Sequence, residues 1–228
     1  IALAAHGLSV VEVEHGPDGM TPILGRYNRR LTAESPFLLT GPAAGSEFVV
    51  TAADPSGRAV TGSLNNCAGG ITPWGTVLSG EENFHIYFGA AEGSAAPSAQ
   101  TAQRWKRYGI KVEPSGRRWE DFDPRFDLIA TPNEVNRFGW IVELNPWDPQ
   151  STPVKHTAMG RFKHEAATIH VTDDGTVVAY SGDDERFDYM YKFVSTRKIL
   201  PGRDSAATAA NMRILDEGTL YAARLSSD

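Results

Sequence analysis

Short apolar and β-branched segments alternate with polar turns along most of this chain. These segments favour β-strands, and they lie at residues 8–13, 48–51, 140–144, 167–171, 177–180, 189–194 and 219–225. Turn signals separate them, namely Pro17-Asp18-Gly19, Asp54-Pro55-Ser56-Gly57, Asn145-Pro146 and Asp173-Asp174-Gly175. Since Gly and Pro supply the backbone angles of tight reversals, the pattern predicts β-hairpins as the local unit.

The clearest hairpin spans residues 167–180, where two β-rich runs flank an Asp-Gly turn. Many short antiparallel strands are typical of a sandwich or of a propeller, whose loops converge around a central axis where ligands can meet. We therefore expect an all-β fold, and of the two architectures the β-propeller is preferred.

Two stretches depart from the strand pattern. Residues 89–103 are rich in Ala, Ser and Gly, and residues 98–108 and 206–212 could each form a short helix or a surface loop. Neither stretch has the apolar period of a second domain, and no long repeat is visible. We predict a single domain over residues 1–228. It is interpreted as an incomplete portion of a domain, because the last strand stops without a closing element.

Composition narrows the class of protein. The chain has 228 residues, 41% of them hydrophobic and 22% charged, which is typical of a globular protein and speaks against disorder or membrane insertion. The net charge of -6 and the lack of a basic block mixed with aromatics make nucleic acid an unexpected partner. The single cysteine excludes an intrachain disulfide and leaves the cellular compartment open.

The segment 65–83 combines that cysteine, Cys67, with the adjacent carboxylates Glu81 and Glu82 and several glycines. Alone, a cysteine is usually a small buried hydrophobe, and a Glu-Glu pair usually lies on a solvated face. Together they favour a metal site, because a soft thiolate beside hard carboxylates suits a transition metal next to a cation such as calcium.

Two further clusters carry candidate ligands. In the first, Arg161, Lys163 and His164 surround Glu165, which suggests recognition of a metal together with an anion. It is not a zinc-protease motif, since His170 follows His164 by six residues instead of four. In the second, Asp183 and Asp184 follow a predicted strand, where they are either calcium ligands or parts of a capped turn.

Other catalytic signatures are absent from the sequence. There is no Gly-x-Ser-x-Gly elbow and no phosphate-binding Gly-x-x-x-x-Gly-Lys-Ser/Thr loop. A cysteine nucleophile paired with His85 or His164 is an alternative, but nearby carboxylates would raise the pKa of Cys67 and disfavour its thiolate. Metal ligation is the simpler role for this cysteine.

Residues 65–76 and 81–84 together resemble the signature of the PhoX-type alkaline phosphatases, a bacterial family of metal-dependent phosphatases. Further blocks resemble the family in the same order and cover most of the chain; they lie at residues 6–11, 27–30, 41–45, 136–140, 160–165, 180–184 and 215–221. One departure is Gly80, where family members often carry a second cysteine. The family also continues beyond this C-terminus, with an Arg-Pro-Glu motif and a later acidic ligand.

The resemblance implies a six-bladed propeller around a cluster of Fe3+ and Ca2+ ions that hydrolyses phosphate monoesters. By motif, Cys67 would bind iron, and carboxylates would come from Glu81 or Glu82, from Glu165, and from Asp183 or Asp184. Arg161 and Lys163 would contact phosphate during catalysis, although either could be a plain surface cation. Whether this portion alone is active stays open.

The resemblance also implies small-molecule phosphate esters as partners, a monomer in the full-length form, and a periplasmic or secreted location. The alternative function is a metal-stabilised propeller that binds a ligand without hydrolysing it.

Overall fold

The computed structural model describes residues 1–226. Within them the chain is mostly β-sheet, with short helices between the strands. The strands are β1 (Leu8–Val10), β2 (Val13–Gly16), β3 (Gly19–Pro22), β4 (Arg29–Leu31), β5 (Pro36–Thr40), β6 (Ala59–Thr61), β7 (Asn66–Ile71), β8 (Val77–Glu81), β9 (Ile141–Leu144), β10 (Val154–His156), β11 (Thr168–Val171), β12 (Thr176–Gly182), β13 (Met190–Lys198) and β14 (Gly218–Ala222).

The helices are short. The α-helices are α1 (Ala2–Ala5), α2 (Ala99–Arg107) and α3 (Ser205–Asn211), and the 3-10 helices are Phe84–Tyr87, Trp119–Asp121, Pro124–Phe126, Glu134–Arg137, Thr157–Met159 and Ile214–Asp216. Both longer α-helices begin at a side-chain cap, since Ser98 accepts a hydrogen bond from Thr101 N and Asp204 accepts from Ala206 N and Ala207 N. For residues 98–108 and 206–212 the sequence predicts either a short helix or a surface loop, and the helical alternative is confirmed.

No helix within residues 1–226 combines the length and the apolar character that crossing a membrane requires.

A six-stranded sheet forms the centre of the molecule, in the order β6-β5-β10-β9-β8-β7. Its pairs are antiparallel except β5 and β10, which run parallel with Val154 opposite Leu38. Strand β9 is buried along its whole length, as expected for a central strand covered on both faces. The parallel pair joins distant parts of the chain, so hairpins alone do not build this sheet.

A second sheet is a four-stranded antiparallel meander in the order β11-β12-β13-β14. Its first hairpin pairs Ile169 with Ala179 across the turn that contains Asp174 and Gly175, which confirms the predicted hairpin. The remaining strands form two-stranded ribbons, β1 with β4 and β2 with β3.

Two apolar cores stabilise these sheets. One lies beneath the long connection between β8 and β9 and contains Phe84, Phe126 and Phe138. The other joins the two large sheets, with Ile141 from the central sheet and Phe193 from the meander. Both cores include residues of the central sheet, and Trp74, which lies between β7 and β8, belongs to the second core.

The fold agrees in part with the sequence prediction. Residues 1–226 are mostly β-sheet in several sheets without a closed barrel, with short helices between the strands, so the predominance of β-structure is confirmed. A predicted strand at residues 48–51 is wrong, because the segment forms turns. The side chain of Asn133 donates to Glu47 O and Val50 O, and that of Asn136 donates to Phe48 O, so side chains replace a partner strand there.

Candidate metal-binding site

Cys67 lies in a β-bulge of the β7–β8 hairpin. Asn66 pairs with Glu81 and Gly69 pairs with Ser79, so β7 carries one extra residue between these two pairs. A bulge redirects the side chains of the strand that carries it and is common beside functional sites. The Ser79 hydroxyl donates to Cys67 O at 3.0 Å and holds the bulged backbone.

Glu82 follows directly after β8, and its carboxylate lies near enough to Cys67 to raise the pKa of the thiol. Its Oε1 accepts a hydrogen bond from Asn83 Nδ2 at 2.7 Å. Asn65 fixes this part of the chain. Its carbonyl accepts from Glu82 N at 3.1 Å, and its side-chain oxygen accepts from Asn83 N at 2.9 Å. Asn65 has a φ of 48°, which Asn adopts more readily than most residues.

Glu165 comes from a different part of the chain, and two glycines let it approach. A Cβ on Gly80 would lie 2.0 Å from His164 O, and one on Gly70 would lie 2.7 Å from Ala167 O. The backbone of residues 164–167 therefore lies directly against β7 and β8. A cysteine at position 80 would need that backbone to shift, which explains the glycine in physical terms.

The electrostatics of these residues favour a bound cation. Burial raises the pKa of the Cys67 thiol, and the nearby carboxylates of Glu82 and Glu165 raise it further. In the described part of the chain, neither glutamate has a Lys, Arg or His nitrogen within 4.0 Å of its carboxylate. The cluster thus holds two carboxylates and a thiol without a protein cation.

Glu81 lies in a different environment from Glu82, although the two are adjacent. Its side chain is fully buried, and one oxygen accepts from Lys155 Nζ at 2.8 Å, Ser63 Oγ at 2.9 Å and Leu64 N at 3.2 Å. The other oxygen accepts from Gly139 N at 3.1 Å. Its charge and its lone pairs are satisfied inside the fold, so Glu82 is the better ligand of the pair.

Lys155 is the partner that sequence reasoning missed. It lies on β10 without any exposed side-chain surface, and its ammonium is 4.0 Å from the ring centre of Phe138. Burial lowers its pKa, while Glu81 acts in the opposite direction. A lysine in a three-residue strand carries no sequence signal of burial, because only the sheet order places it against Glu81.

Asp183 and Asp184 occupy different positions too. Asp183 has a side chain only 1% exposed, accepts from Lys163 N at 3.2 Å and pairs with Arg107 at 3.0 Å. Burial raises its pKa. Asp184 is exposed, and its backbone N donates to Lys163 O. Asp183 therefore ties the segment around Lys163 to the end of α2, whereas Asp184 has a free carboxylate in the described residues.

Arg161 and Lys163, the two predicted phosphate contacts, both donate hydrogen bonds to other groups of the protein. Arg161 donates to Phe138 O at 2.8 Å and Val135 O at 2.6 Å, and burial lowers its pKa to about 10. Lys163 donates to Glu185, which is partly exposed. Lys163 can exchange its partner for another anion more easily than Arg161 can, because that partner, Glu185, faces solvent.

Neither histidine considered as a partner for Cys67 hydrogen-bonds to it within residues 1–226. His164 contacts Ser181 Oγ at 2.8 Å and Gly160 O at 2.9 Å, and burial lowers its pKa to about 4. Burial, followed by the Lys163 charge, lowers the pKa of His85 to about 4 as well. Nothing in the described chain activates the thiol as a nucleophile.

Cys67, Glu82 and Glu165 do not form a complete metal-binding group within the described residues. No group of three or more His, Cys, Asp or Glu side chains in residues 1–226 is arranged so that it could hold a metal ion. Cys67, Glu82 and Glu165 nevertheless have the donor chemistry of a mixed thiolate and carboxylate site. Further ligands from outside these residues would be needed to complete it.

Comparison with known proteins identifies the family. No curated protein sequence matches the chain. A solved structure, Pseudomonas fluorescens PhoX in complex with vanadate, a transition state analogue, is 48% identical with a TM-score of 0.89. The alignment covers 99% of this chain and 38% of the other, so this chain spans well under half of that relative. The family model for alkaline phosphatase PhoX matches residues 1–228, and the chain therefore belongs to the PhoX family.

Proposed function

We propose that the protein hydrolyses phosphate monoesters to release inorganic phosphate, at a centre of Fe3+ and Ca2+ to which Cys67, Glu82 and Glu165 contribute ligands. The observation that carries the proposal is the cluster itself, since the β7–β8 bulge and the close approach of residues 164–167 bring Cys67, Glu82 and Glu165 near one another. Family membership and the vanadate complex of a relative support the same chemistry.

Each of the three ligands has a distinct task in this proposal. Cys67, once deprotonated, supplies a soft donor for iron, and Glu82 and Glu165 supply hard oxygen donors for iron or calcium. When bound, the metal ions would stabilise the negative charge that develops on a phosphoryl group in the transition state. The bulge at Cys67 and the hydrogen bonds that Asn65 accepts from Glu82 N and Asn83 N keep these ligands in place.

The other predicted residues take supporting roles. Glu81 and Asp183 position the neighbouring backbone, because each is engaged by a cation and a backbone N–H. Lys163 is the proposed phosphate contact, since its partner Glu185 is a solvent-accessible carboxylate that a phosphate can replace. Arg161 supports the site from a position held by Phe138 O and Val135 O, and Asp184 remains a proposed calcium ligand.

The same proposal extends to architecture and location. The single domain at residues 1–228 would be part of a six-bladed propeller, in which the β11–β14 meander has the form of one blade. The full-length protein would be a monomer that acts on small-molecule phosphate esters in the periplasm or outside the cell.

Metal content and turnover together test the proposal. We would measure iron and calcium in the full-length protein by elemental analysis, and p-nitrophenyl phosphate hydrolysis before and after chelation. We expect bound iron, chelator-sensitive turnover, and a Cys67→Ser variant with less iron and at least about 100-fold lower kcat. The matched control is Glu217→Gln, which changes an exposed glutamate paired with Arg197. This variant should retain the iron content and the kcat of the unchanged protein.

The outcomes separate the candidate functions. Iron with no turnover would favour the ligand-binding propeller over the phosphatase. Turnover that survives chelation and is abolished by thiol alkylation would favour a cysteine nucleophile and contradict the metal proposal.

A further inference from the structure

A cavity of about 290 Å³ lies between the end of α2, the turns at residues 43–49 and the segment before β9. Its wall includes the aromatic side chains of Phe48, Tyr108 and Trp140. None of its residues belongs to the Cys67, Glu82 and Glu165 cluster. The volume is at the lower end of small-molecule pockets, which span roughly 300–1,000 Å³.

Three arginines also line this cavity, and among residues 1–226 only one of them has an acidic partner. Arg107 pairs with Asp183 and Asp188 at 3.0 and 2.9 Å. Within the described residues, Arg104 and Arg161 have no carboxylate within 4.0 Å. The cavity thus carries positive charge that the protein does not neutralise locally.

Aromatic rings hold both of these cations at the cavity. The Arg104 guanidinium lies 4.6 Å from the centre of the Phe48 ring, and the Arg161 guanidinium lies 4.1 Å from that of Tyr108. Cation–π contacts and backbone carbonyls reduce the cost of a desolvated guanidinium but do not neutralise it. An anion in the cavity would compensate the charge, and the rings would bury its apolar part.

The other polar groups around the cavity form hydrogen bonds within the protein, and these bonds fix the side chains of the cavity wall. Asn136 donates to Phe48 O at 2.8 Å, and the Trp140 ring N–H donates to Asn136 O at 3.2 Å. Arg104 Nη2 donates to Thr101 Oγ1 at 3.3 Å, while its other nitrogens have no hydrogen-bond partner among residues 1–226. Arg104 is therefore the residue best able to donate hydrogen bonds to an anionic ligand.

We propose that this cavity is a binding site for a small organic anion with a planar aromatic body, such as an aryl carboxylate or sulfonate. Arg104 contacts the anionic group, Phe48 and Trp140 pack on the ring, and the Arg161 charge adds long-range attraction. The cavity contains none of the proposed metal ligands, although it shares Arg161 with the residues that support the proposed metal centre, and anion binding there does not depend on phosphate hydrolysis.

Calorimetric titration of the full-length protein with naphthalene-2-sulfonate tests the site, with the uncharged naphthalene-2-sulfonamide as the matched probe. We expect saturable binding of one sulfonate and at least about tenfold weaker binding of the sulfonamide, because only the sulfonate carries charge. Arg104→Gln should weaken sulfonate binding at least about fivefold. Equal affinity for the two probes, or unchanged affinity in Arg104→Gln, would overturn the proposal.

Three control variants sharpen the test. Arg117→Gln removes a similar cation–π arginine, 4.4 Å from the Tyr87 ring and outside the cavity, and should leave the affinity within about twofold. Cys67→Ser should also leave it unchanged, and loss of binding there would place the anion at the metal centre and refute the site. If Arg104→Gln does not fold, Ser46→Phe fills the cavity instead and should abolish binding.

Discussion

Glu81 and Glu82 are neighbours in the chain but have opposite environments. Glu81 is buried, with Lys155 and several N–H and O–H donors around its oxygens. Glu82 faces Cys67 and the charge of Glu165, without a protein cation within 4.0 Å in the described residues. The first carboxylate is neutralised by the fold, whereas the second is partly exposed and has no protein cation beside it in the described residues. Glu81 is therefore a structural carboxylate, and Glu82 is a proposed metal ligand.

Removing the charge of Glu81 should have the largest effect on stability. In metal-free protein, Glu81→Gln leaves the Lys155 ammonium buried without its counter-ion, and we expect a loss of about 3–5 kcal/mol in the free energy of unfolding. Glu82→Gln is the matched control and should change it by less than about 1 kcal/mol, because it removes a like charge at a partly exposed site. Urea denaturation of both variants measures the difference, and equal losses would refute the distinction.

A second buried network should make stability depend on alkaline pH. His156 lies between Glu143 and Asp216, at 2.7 and 2.9 Å. Burial lowers its pKa, but the hydrogen bonds and charges of the two carboxylates outweigh burial and raise the pKa from 6.5 to about 9. A raised pKa stabilises the folded state fully below about pH 6.5, and this contribution is lost as the pH rises through about 9.

The expected loss across that window is up to about 3 kcal/mol, the equivalent of the shift in pKa. Urea denaturation of metal-free protein between pH 6 and pH 10 measures it. His156→Gln should be less stable at pH 6 and should lack most of this pH dependence. A variant that keeps the full dependence would assign it to other groups.

The close approach that brings Glu165 to Cys67 is open to a smaller test. Gly80→Ala places a Cβ where His164 O lies at 2.0 Å, so we expect a loss of about 1–3 kcal/mol in the free energy of unfolding. Gly116→Ala is the control, because no heavy atom lies within 4 Å of the added Cβ. Thermal unfolding compares them. If Gly80→Ala is as stable as the unchanged protein, the backbone of residues 164–167 can move away from the added Cβ without a loss in the free energy of unfolding.

The sequence alone determined the local structure and the kind of chemistry. The Asp174-Gly175 turn and the β-branched runs around it specify a hairpin, because turn geometry and strand propensity depend on neighbouring residues. Caps at Ser98 and Asp204 likewise start the two longer helices. The motif around Cys67 was sufficient to identify the family, and it indicated a thiolate and carboxylate site.

Only the tertiary structure decided which acidic residues are available for a metal. The parallel pairing of β5 with β10 brings Lys155 into the sheet that contains Glu81, and no local pattern encodes that pairing. The contact of residues 164–167 with Gly70 and Gly80 likewise joins distant segments. Whether a carboxylate is neutralised by the fold or left to bind a cation depends on neighbours far away in sequence, because charge interactions act through space and not along the chain.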